Sequence, residues 1–382
     1  MTLDSVFEPF GLTEAEHTAL IHDVAEYTLD PGSKLARLRT QRRYSDLGKG
    51  IGNLLSSFQG LRSTTGLCYV IAGLKNDPTK TYSWEGALES LYHDPIFTRS
   101  RTVWMAFHAA LRADSKFALT VAPARAHENT LSGNFISGFT AQCDHWSSHA
   151  KGILSRTANP LIFESADISV GGGEQKTGGD FALIIDLEEE DDVPADLASA
   201  ATPLLSPRRG HQIIPIVFQA KRFVGETADI SQRHKSRGYQ FDKLRKTACA
   251  SSYIFYENGA SEIEEAVVPI VKPVQNCRAI TIEKSTPVFE QSVDFATYLL
   301  WAICDEEAFP RASSKEEAIN MVCATAKRTS FRRIAFLGNT AGLRNSYQAA
   351  LYRLSEEIAA QRVHQPQEEI QADIDLPEPP TF

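Results

Sequence analysis

The sequence predicts an α/β protein in which a layered core of strands is flanked by helical regions. Two apolar runs carry this prediction. One is Phe181-Ala-Leu-Ile-Ile185, preceded by Gly178-Gly179-Asp180 and followed by Asp186; the other is Ile213-Ile-Pro-Ile-Val-Phe218, followed by Gln219-Ala220-Lys221. Both are short, rich in β-branched residues and bounded by polar or turn residues, the pattern of buried strands. They place strands at Phe181–Leu187 and Ile213–Phe218, and further strand-like runs lie at Leu161–Val170, Ser252–Tyr256 and Val267–Val271, with a helical stretch from Gln240 to Ala250 before Ser252–Tyr256. Strands joined by a helix point to a layered α/β core. A hydrophobic content of 42% and a charged content of 23% are those of an ordinary globular chain. The 382 residues leave room for two or three domains.

Residues 1–115 read as a mainly helical region. Apolar residues recur at helical spacing over Leu12–Leu29, Ile51–Leu74 and Trp84–Leu111, the first opened by Thr13 with Glu16 three positions on, a capping-box pattern. Lys34–Arg43 concentrates five basic residues, usually a solvated or partner-contacting face. The core spans 116–300 and begins with a helix over Glu128–Leu154. Residues 188–209 form an acidic, then small-residue insert whose length marks it as a mobile loop or disordered. Residues from 289 to about 330 and Arg344–Arg362 read as helical, so 301–363 is expected to be a C-terminal helical segment. The tail 364–382, acidic and proline-rich, is expected to be disordered.

The net charge of −9 means that the surface as a whole does not advertise nucleic-acid binding, although a local basic cleft still can. The six cysteines are scattered with no C-x-x-C pair, which argues against a zinc module and a disulfide framework. There is no signal pattern at the N-terminus and no run long enough to span a membrane, so a cytoplasmic protein without membrane contact is expected. No Walker loop, dinucleotide fingerprint or nucleophile elbow is present. The glycines at 171–173 and 178–179 lack the Lys-Ser/Thr of a phosphate cradle and read as a turn. His145 and His149, four apart on a helix, have no further ligand nearby in sequence and read as structural.

Charged and amide residues at the ends of apolar strands need partners. If the two strands are neighbours, Asp180, Gln219 and Lys221 meet on one face, at a spot suited to a divalent cation and a phosphodiester. Asp180 would bind Mg²⁺, which prefers oxygen ligands. The Ala220 carbonyl points into the same site, because strand carbonyls lie in the sheet plane. Lys221 would orient water or screen the phosphate. A second carboxylate is then needed. Glu128, at a helix start, is the candidate; Glu164 and Asp167 are its rivals, and Asp186, at the far end of its strand, is weaker. Asp180 also reads as a turn residue, and Gln219 with Lys221 as the polar face of an edge strand.

These residues resemble the PD-(D/E)xK nuclease superfamily, with its restriction-endonuclease-like fold, and within it the restriction-type and phage-defence members that carry Gln-x-Lys. Gly179-Asp180 stands where that family has Gly-x-Asp, and Gln219-Ala220-Lys221 where it has the final triplet. Tyr239-Gln240-Phe-Asp-Lys-Leu244 followed by Tyr253-Ile-Phe-Tyr256 is similar to that core's Gln-bearing helix and next strand. The resemblance covers about residues 120 to 275 and departs in the long spacing, 39 residues, from Asp180 to Gln219.

The resemblance implies a mixed sheet flanked by helices and a catalytic set of Asp180, Gln219, Lys221 and Glu128. It implies Mg²⁺ (Mn²⁺ substituting) on Asp180, Glu128 and the Ala220 carbonyl. Gln240, Lys243 and Arg222 are the expected nucleic-acid contacts. The implied activity is a DNA endonuclease of anti-phage defence, with residues 1–115 as a regulatory or oligomerising element, acting with a homo-oligomeric or defence-system partner. The alternative is a non-catalytic subunit that keeps the fold to bind a protein or nucleic acid.

Overall fold

The long apolar runs pair with one another, because only a sheet covered on both faces can bury strands that are apolar on both sides. A computed structural model describes residues 101–153, 161–167, 180–188, 210–234, 238–258, 267–278, 284–304, 308–323 and 333–363, together with Ala15, which is helical. The rest of Leu12–Leu29, the Lys34–Arg43 cluster, Ile51–Leu74, the glycines at 171–179, most of the 188–209 insert and the tail lie outside the described residues.

In chain order the elements are α1 (Arg101–Lys116, continued by a π turn at Phe117–Val121), α2 (Glu128–Ile153), β1 (Ile162–Asp167), β2 (Phe181–Leu187) and β3 (Gln212–Phe223). Next come β4 (Thr227–Asp229), β5 (Arg233–His234), β6 (Gly238–Tyr239), α3 (Gln240–Leu244) and β7 (Ala250–Glu257). The chain continues through β8 (Ile270–Pro273), β9 (Ser285–Pro287), β10 (Val293–Asp294), α4 (Phe295–Cys304), α5 (Lys315–Cys323), β11 (Arg333–Gly338) and α6 (Leu343–Val363). Seven strands make one mixed sheet in the order β1-β11-β2-β3-β7-β8-β10. β2 runs antiparallel to β3 with Phe181 opposite Phe218, and β3 runs parallel to β7 with Gln219 opposite Tyr253.

Helices α1, α2 and α4 cover one face of this sheet. Phe218 and Phe295 are 6.3 Å apart between ring centroids, Phe218 and Tyr298 5.6 Å, and Phe139 and Phe163 4.6 Å. Helix α4 reads Phe-Ala-Thr-Tyr-Leu-Leu-Trp-Ala-Ile-Cys, apolar all round, as a helix buried on every side must be. Its N-terminus is capped by Asp294, which accepts from the Thr297 N–H at 3.0 Å, and by Asp114, which accepts from the Ala296 N–H at 3.0 Å. Helix α6 lies on the other face, where Phe336 and Tyr347 sit 4.6 Å apart. Gly338 of β11 admits no side chain, since a Cβ there would lie 2.4 Å from the Asp186 carbonyl oxygen.

The structure corrects several sequence expectations. The segment 301–363 is not only helical: β11 enters the sheet between β1 and β2, so the C-terminal part completes the core. The signal was available in Arg-Ile-Ala-Phe-Leu-Gly, a short apolar run closed by glycine. The core also begins earlier than 116, because α1 packs on α2 and α4. The helix expected over Gln240–Ala250 stops at Leu244, where Thr247 and Ser251 turn their hydroxyls onto the Leu244 carbonyl, each at 2.8 Å. The last expected strand forms over Ile270–Pro273 instead of Val267–Val271, after Pro269.

β3 extends past its apolar run to Phe223, and Pro215 sits inside it. Residues of a strand present their hydrogen-bonding groups alternately to its two neighbours. Pro215 therefore lacks its N–H on the β7 side, where β7 has not yet begun, since its first pair is Ile216 with Ala250.

Candidate functional site

The site forms where β2 ends and β3 continues. Phe181 and Phe218 stack at 5.1 Å on the face covered by α4. By alternation, Asp180, Gln219 and Lys221 lie on the opposite face. Asp180 joins the ladder, its N–H donating to the Phe218 carbonyl at 2.8 Å. Among the described residues β3 has no strand partner on that side beyond it, and the N–H groups of Ala220 and Arg222 still need acceptors. Carboxylates supply them. Asp180 Oδ2 accepts from the Ala220 N–H at 2.7 Å, and Glu128 Oε1 accepts from the Arg222 N–H at 3.2 Å. Two carboxylates thus line one edge of β3 two residues apart, about 7 Å of strand. The Ala220 carbonyl belongs to the same edge.

Side chains complete the arrangement. Gln219 is fully buried, and its Nε2 donates to Asp180 Oδ2 at 2.8 Å and to the Ala220 carbonyl at 3.2 Å. Its Oε1 is buried without a hydrogen-bond partner. The Lys221 side chain is 6% exposed and that of Glu128 31%. Lys221 Nζ lies 3.5 Å from Glu128 Oε2 and 2.5 Å from Gln232 Oε1. Nearby, Asp229 is held below the usual carboxylate range, first by its hydrogen bonds to Ser231 and to a lesser degree by Lys221.

Glu128 is therefore the second carboxylate that the fold brings to Asp180 and Lys221. Of its rivals, Glu164 lies on β1 opposite Phe336 and accepts from the Arg344 N–H at 2.6 Å, at the start of α6. Asp167 pairs with Arg333, which pairs with Phe181, so two ladders separate Asp167 from β2. Asp186 sits at the other end of β2, 1% exposed, with His211 Nε2 2.5 Å from its Oδ1. The Tyr347 hydroxyl donates to its Oδ2 at 2.8 Å, and Lys315 Nζ is 3.4 Å from that oxygen.

Gln240, which could have been a solvated helix cap, is buried with its Oε1 unpartnered. Arg222 is exposed and donates from Nη1 to the Ala126 carbonyl at 3.0 Å; Lys243 is half-buried. His145 is half-buried, and the His149 side chain lies outside the described ones. Lys327, Arg328 and Arg332 are likewise outside the described residues, while Arg333 opens β11. Gln232 and Asp229 carry no signal in the sequence. They reach Lys221 only because the chain reverses after β3, at a turn where Gly225 takes φ 85°.

Among the described residues no group of three or more His, Cys, Asp or Glu side chains is arranged to hold a metal. The donor set is instead two carboxylates, a carbonyl and an amide. The Gln219 amide group bridges Asp180 Oδ2 and the Ala220 carbonyl, two oxygens that would otherwise face each other. Turning that amide over would bring the unpartnered Oε1 toward both, giving three oxygens for one hard cation, with Glu128 beside them. The residues fit such an ion. Four described cysteines, Cys143, Cys249, Cys277 and Cys323, are buried free thiols, and burial pushes those of Cys249 and Cys323 up to about 12, which rules them out as nucleophiles at neutral pH. No helix of the described residues is long and apolar enough to cross a membrane.

Comparison of the chain with protein-family models, curated proteins and solved structures finds no match.

Proposed function

We propose that this protein is a divalent-metal-dependent nuclease of the PD-(D/E)xK type that hydrolyses phosphodiester bonds in DNA, with a role in defence against foreign DNA. The observation that carries the reading is the joint placement of Asp180 and Glu128 on one edge of β3, with Lys221 on the face between the sheet and Gln232. Asp180, Glu128 and the Ala220 carbonyl would hold the cation, joined by Gln219 Oε1. The cation would supply a water acidified toward neutral pH and charge compensation for the phosphate.

The chain's own groups do the remaining work. Lys221 presents a fixed ammonium that orients the attacking water and attracts a phosphate oxygen. Gln219, neutral and buried, leaves the site's net negative charge to the two carboxylates. The Arg222 guanidinium, exposed beside Ala126, is placed to meet the nucleic-acid backbone. The segment 219–246 has eight Lys or Arg against three Asp or Glu, in a chain whose net charge is −9. Local positive charge of this kind favours a phosphate backbone.

The test is incubation of the purified protein with supercoiled plasmid, with and without Mn²⁺, beside Asp180→Ala and Lys221→Ala. Relaxed or linear product that requires the metal and disappears in both variants is expected. Metal-dependent cutting by Lys221→Ala at the unmodified rate contradicts the assignment. Metal binding without cutting by the unmodified protein favours a subunit that binds nucleic acid or protein without catalysis.

A further inference from the structure

We propose that Gln232 is a positioning residue for Lys221; this rests on the nuclease reading and assigns a residue that no part of the Gly-Asp and Gln-x-Lys pattern contains. A nearly buried ammonium has three donors to satisfy and is costly without acceptors. Lys221 Nζ has Gln232 Oε1 at 2.5 Å and Glu128 Oε2 at 3.5 Å. The Gln232 oxygen is the nearer acceptor, and the Glu128 contact sits at the outer limit of a hydrogen bond. Glu128 is also engaged by the Arg222 N–H at 3.2 Å. Gln232 thus fixes where the ammonium points.

Gln232 is itself held. Its carbonyl accepts from the Gln240 N–H at 3.1 Å, at the first residue of α3. The next residue, Arg233, pairs with Tyr239 across β5 and β6, and its guanidinium lies 5.5 Å from the Tyr239 ring centroid. The side chain that holds the lysine therefore hangs from a small hairpin clamped to the following helix.

The neutrality of the group matters. A carboxylate in this place would cancel the charge that Lys221 offers to a phosphate, whereas an amide oxygen aims the ammonium and leaves its charge in force. The negative groups that do face Lys221 are Glu128 from α2 and Asp229 from β4. Glu128 stands off at 3.5 Å, and the Asp229 carboxylate is occupied by the Ser231 N–H at 2.7 Å.

Two variants of the full-length protein test this. Gln232→Met keeps the length and removes the oxygen; Gln232→Glu keeps an acceptor oxygen and adds a charge. Lysine acylation footprinting by mass spectrometry reports the Lys221 amine directly, and plasmid cleavage with Mn²⁺ reports kcat and KM. In the unmodified protein, Lys221 should be acylated more slowly than the more open Lys243. Gln232→Met should raise Lys221 acylation about tenfold and lower kcat by about 10- to 100-fold at little-changed KM, the range for a lost hydrogen bond to a charged group. Gln232→Glu should restore protection of Lys221 yet leave kcat low and move its pH profile. A purely structural role would move neither Lys221 selectively nor kcat apart from KM.

Gln232→Met with unmodified Lys221 reactivity and kcat overturns the proposal. So does a Lys221 in the unmodified protein that reacts as fast as Lys243, even if the variants fail to fold. An unmodified protein that cuts no nucleic acid, yet whose Lys221 is exposed by Gln232→Met, sustains the positioning contact and rejects the nuclease reading.

Discussion

Strand β2 carries an aspartate on the same face at each end, and the two have opposite surroundings. Asp186 is closed: it is buried and surrounded by His211, the Tyr347 hydroxyl and Lys315, which join the residue before β3, α6 and α5 to the strand. Asp180 is half-buried, and its Oδ2 is held by an amide side chain and a backbone N–H, both neutral. A second carboxylate lines the same strand edge. A carboxylate already wrapped by an ammonium, an imidazole and a hydroxyl has no use for a metal ion, while one beside another carboxylate and neutral donors gains from it. The residue type is the same at both ends, so the partners set the two apart: one aspartate is tied into the scaffold, and the other is the one to which we assign the proposed chemistry.

The largest expected effect is on activity. Asp180→Asn should abolish metal-dependent cleavage, by about a thousandfold or more through loss of the cation's charge stabilisation, while changing the urea unfolding midpoint little. Asp186→Asn should do the reverse. It should cost about 2–3 kcal/mol in urea unfolding, because the Tyr347 hydroxyl is left buried without its ionised acceptor. Lys315 and His211 are open enough to turn to water, which keeps the loss below that of a fully buried ion pair. Once folded, Asp186→Asn should still cleave. Cleavage lost only in Asp186→Asn would reverse the roles of the two ends.

A pH experiment sharpens the contrast. Burial raises Tyr256, Tyr298 and Tyr347 above the ordinary tyrosine value of 10, and Asp186 raises Tyr347 further. A group whose folded pKa is raised lends its stability in full below the unfolded pKa and loses it as pH climbs toward the folded one. Unfolding free energy should therefore be insensitive to tyrosine ionisation at neutral pH and fall steeply above about pH 10. Asp186→Asn should make that fall shallower, which fluorescence-monitored urea unfolding across the alkaline range will read. The smallest effect concerns the rival carboxylate Glu164, which meets the Arg344 N–H at the start of α6. Glu164→Gln should cost no more than about 1 kcal/mol, the scale of a charge at a helix N-terminus, and leave cleavage unchanged.

The local parts of this account were legible in the sequence. β2 appears with its predicted bounds, Phe181–Leu187, because a short apolar run bounded by turn residues marks both of its ends in the sequence. β3 outran its predicted end, Phe218, to reach Phe223, and β7 outran Ser252–Tyr256 to span Ala250–Glu257, since ladder pairing extends a strand over residues such as Lys221 and Glu257 whose polarity argues for a turn. β11 was missed because its place between β1 and β2 is set by contacts across more than a hundred residues, and its basic flank hid a six-residue run. The Asp180, Gln219 and Lys221 face followed from period-two alternation. Glu128 was legible as a helix-opening acid, but its selection over Glu164 and Asp167 depended on strand order. Gln232 was not legible at all, because a loop residue that meets Lys221 through a chain reversal leaves no periodic trace.

The central claim is that the Asp180 end of β2 holds a divalent cation. Titration of Mn²⁺ into the protein, followed by isothermal calorimetry, tests it most directly. One saturable site is expected, lost in Asp180→Asn and kept in Glu164→Gln. Absence of binding to the unmodified protein, or equal binding by Asp180→Asn, would contradict it.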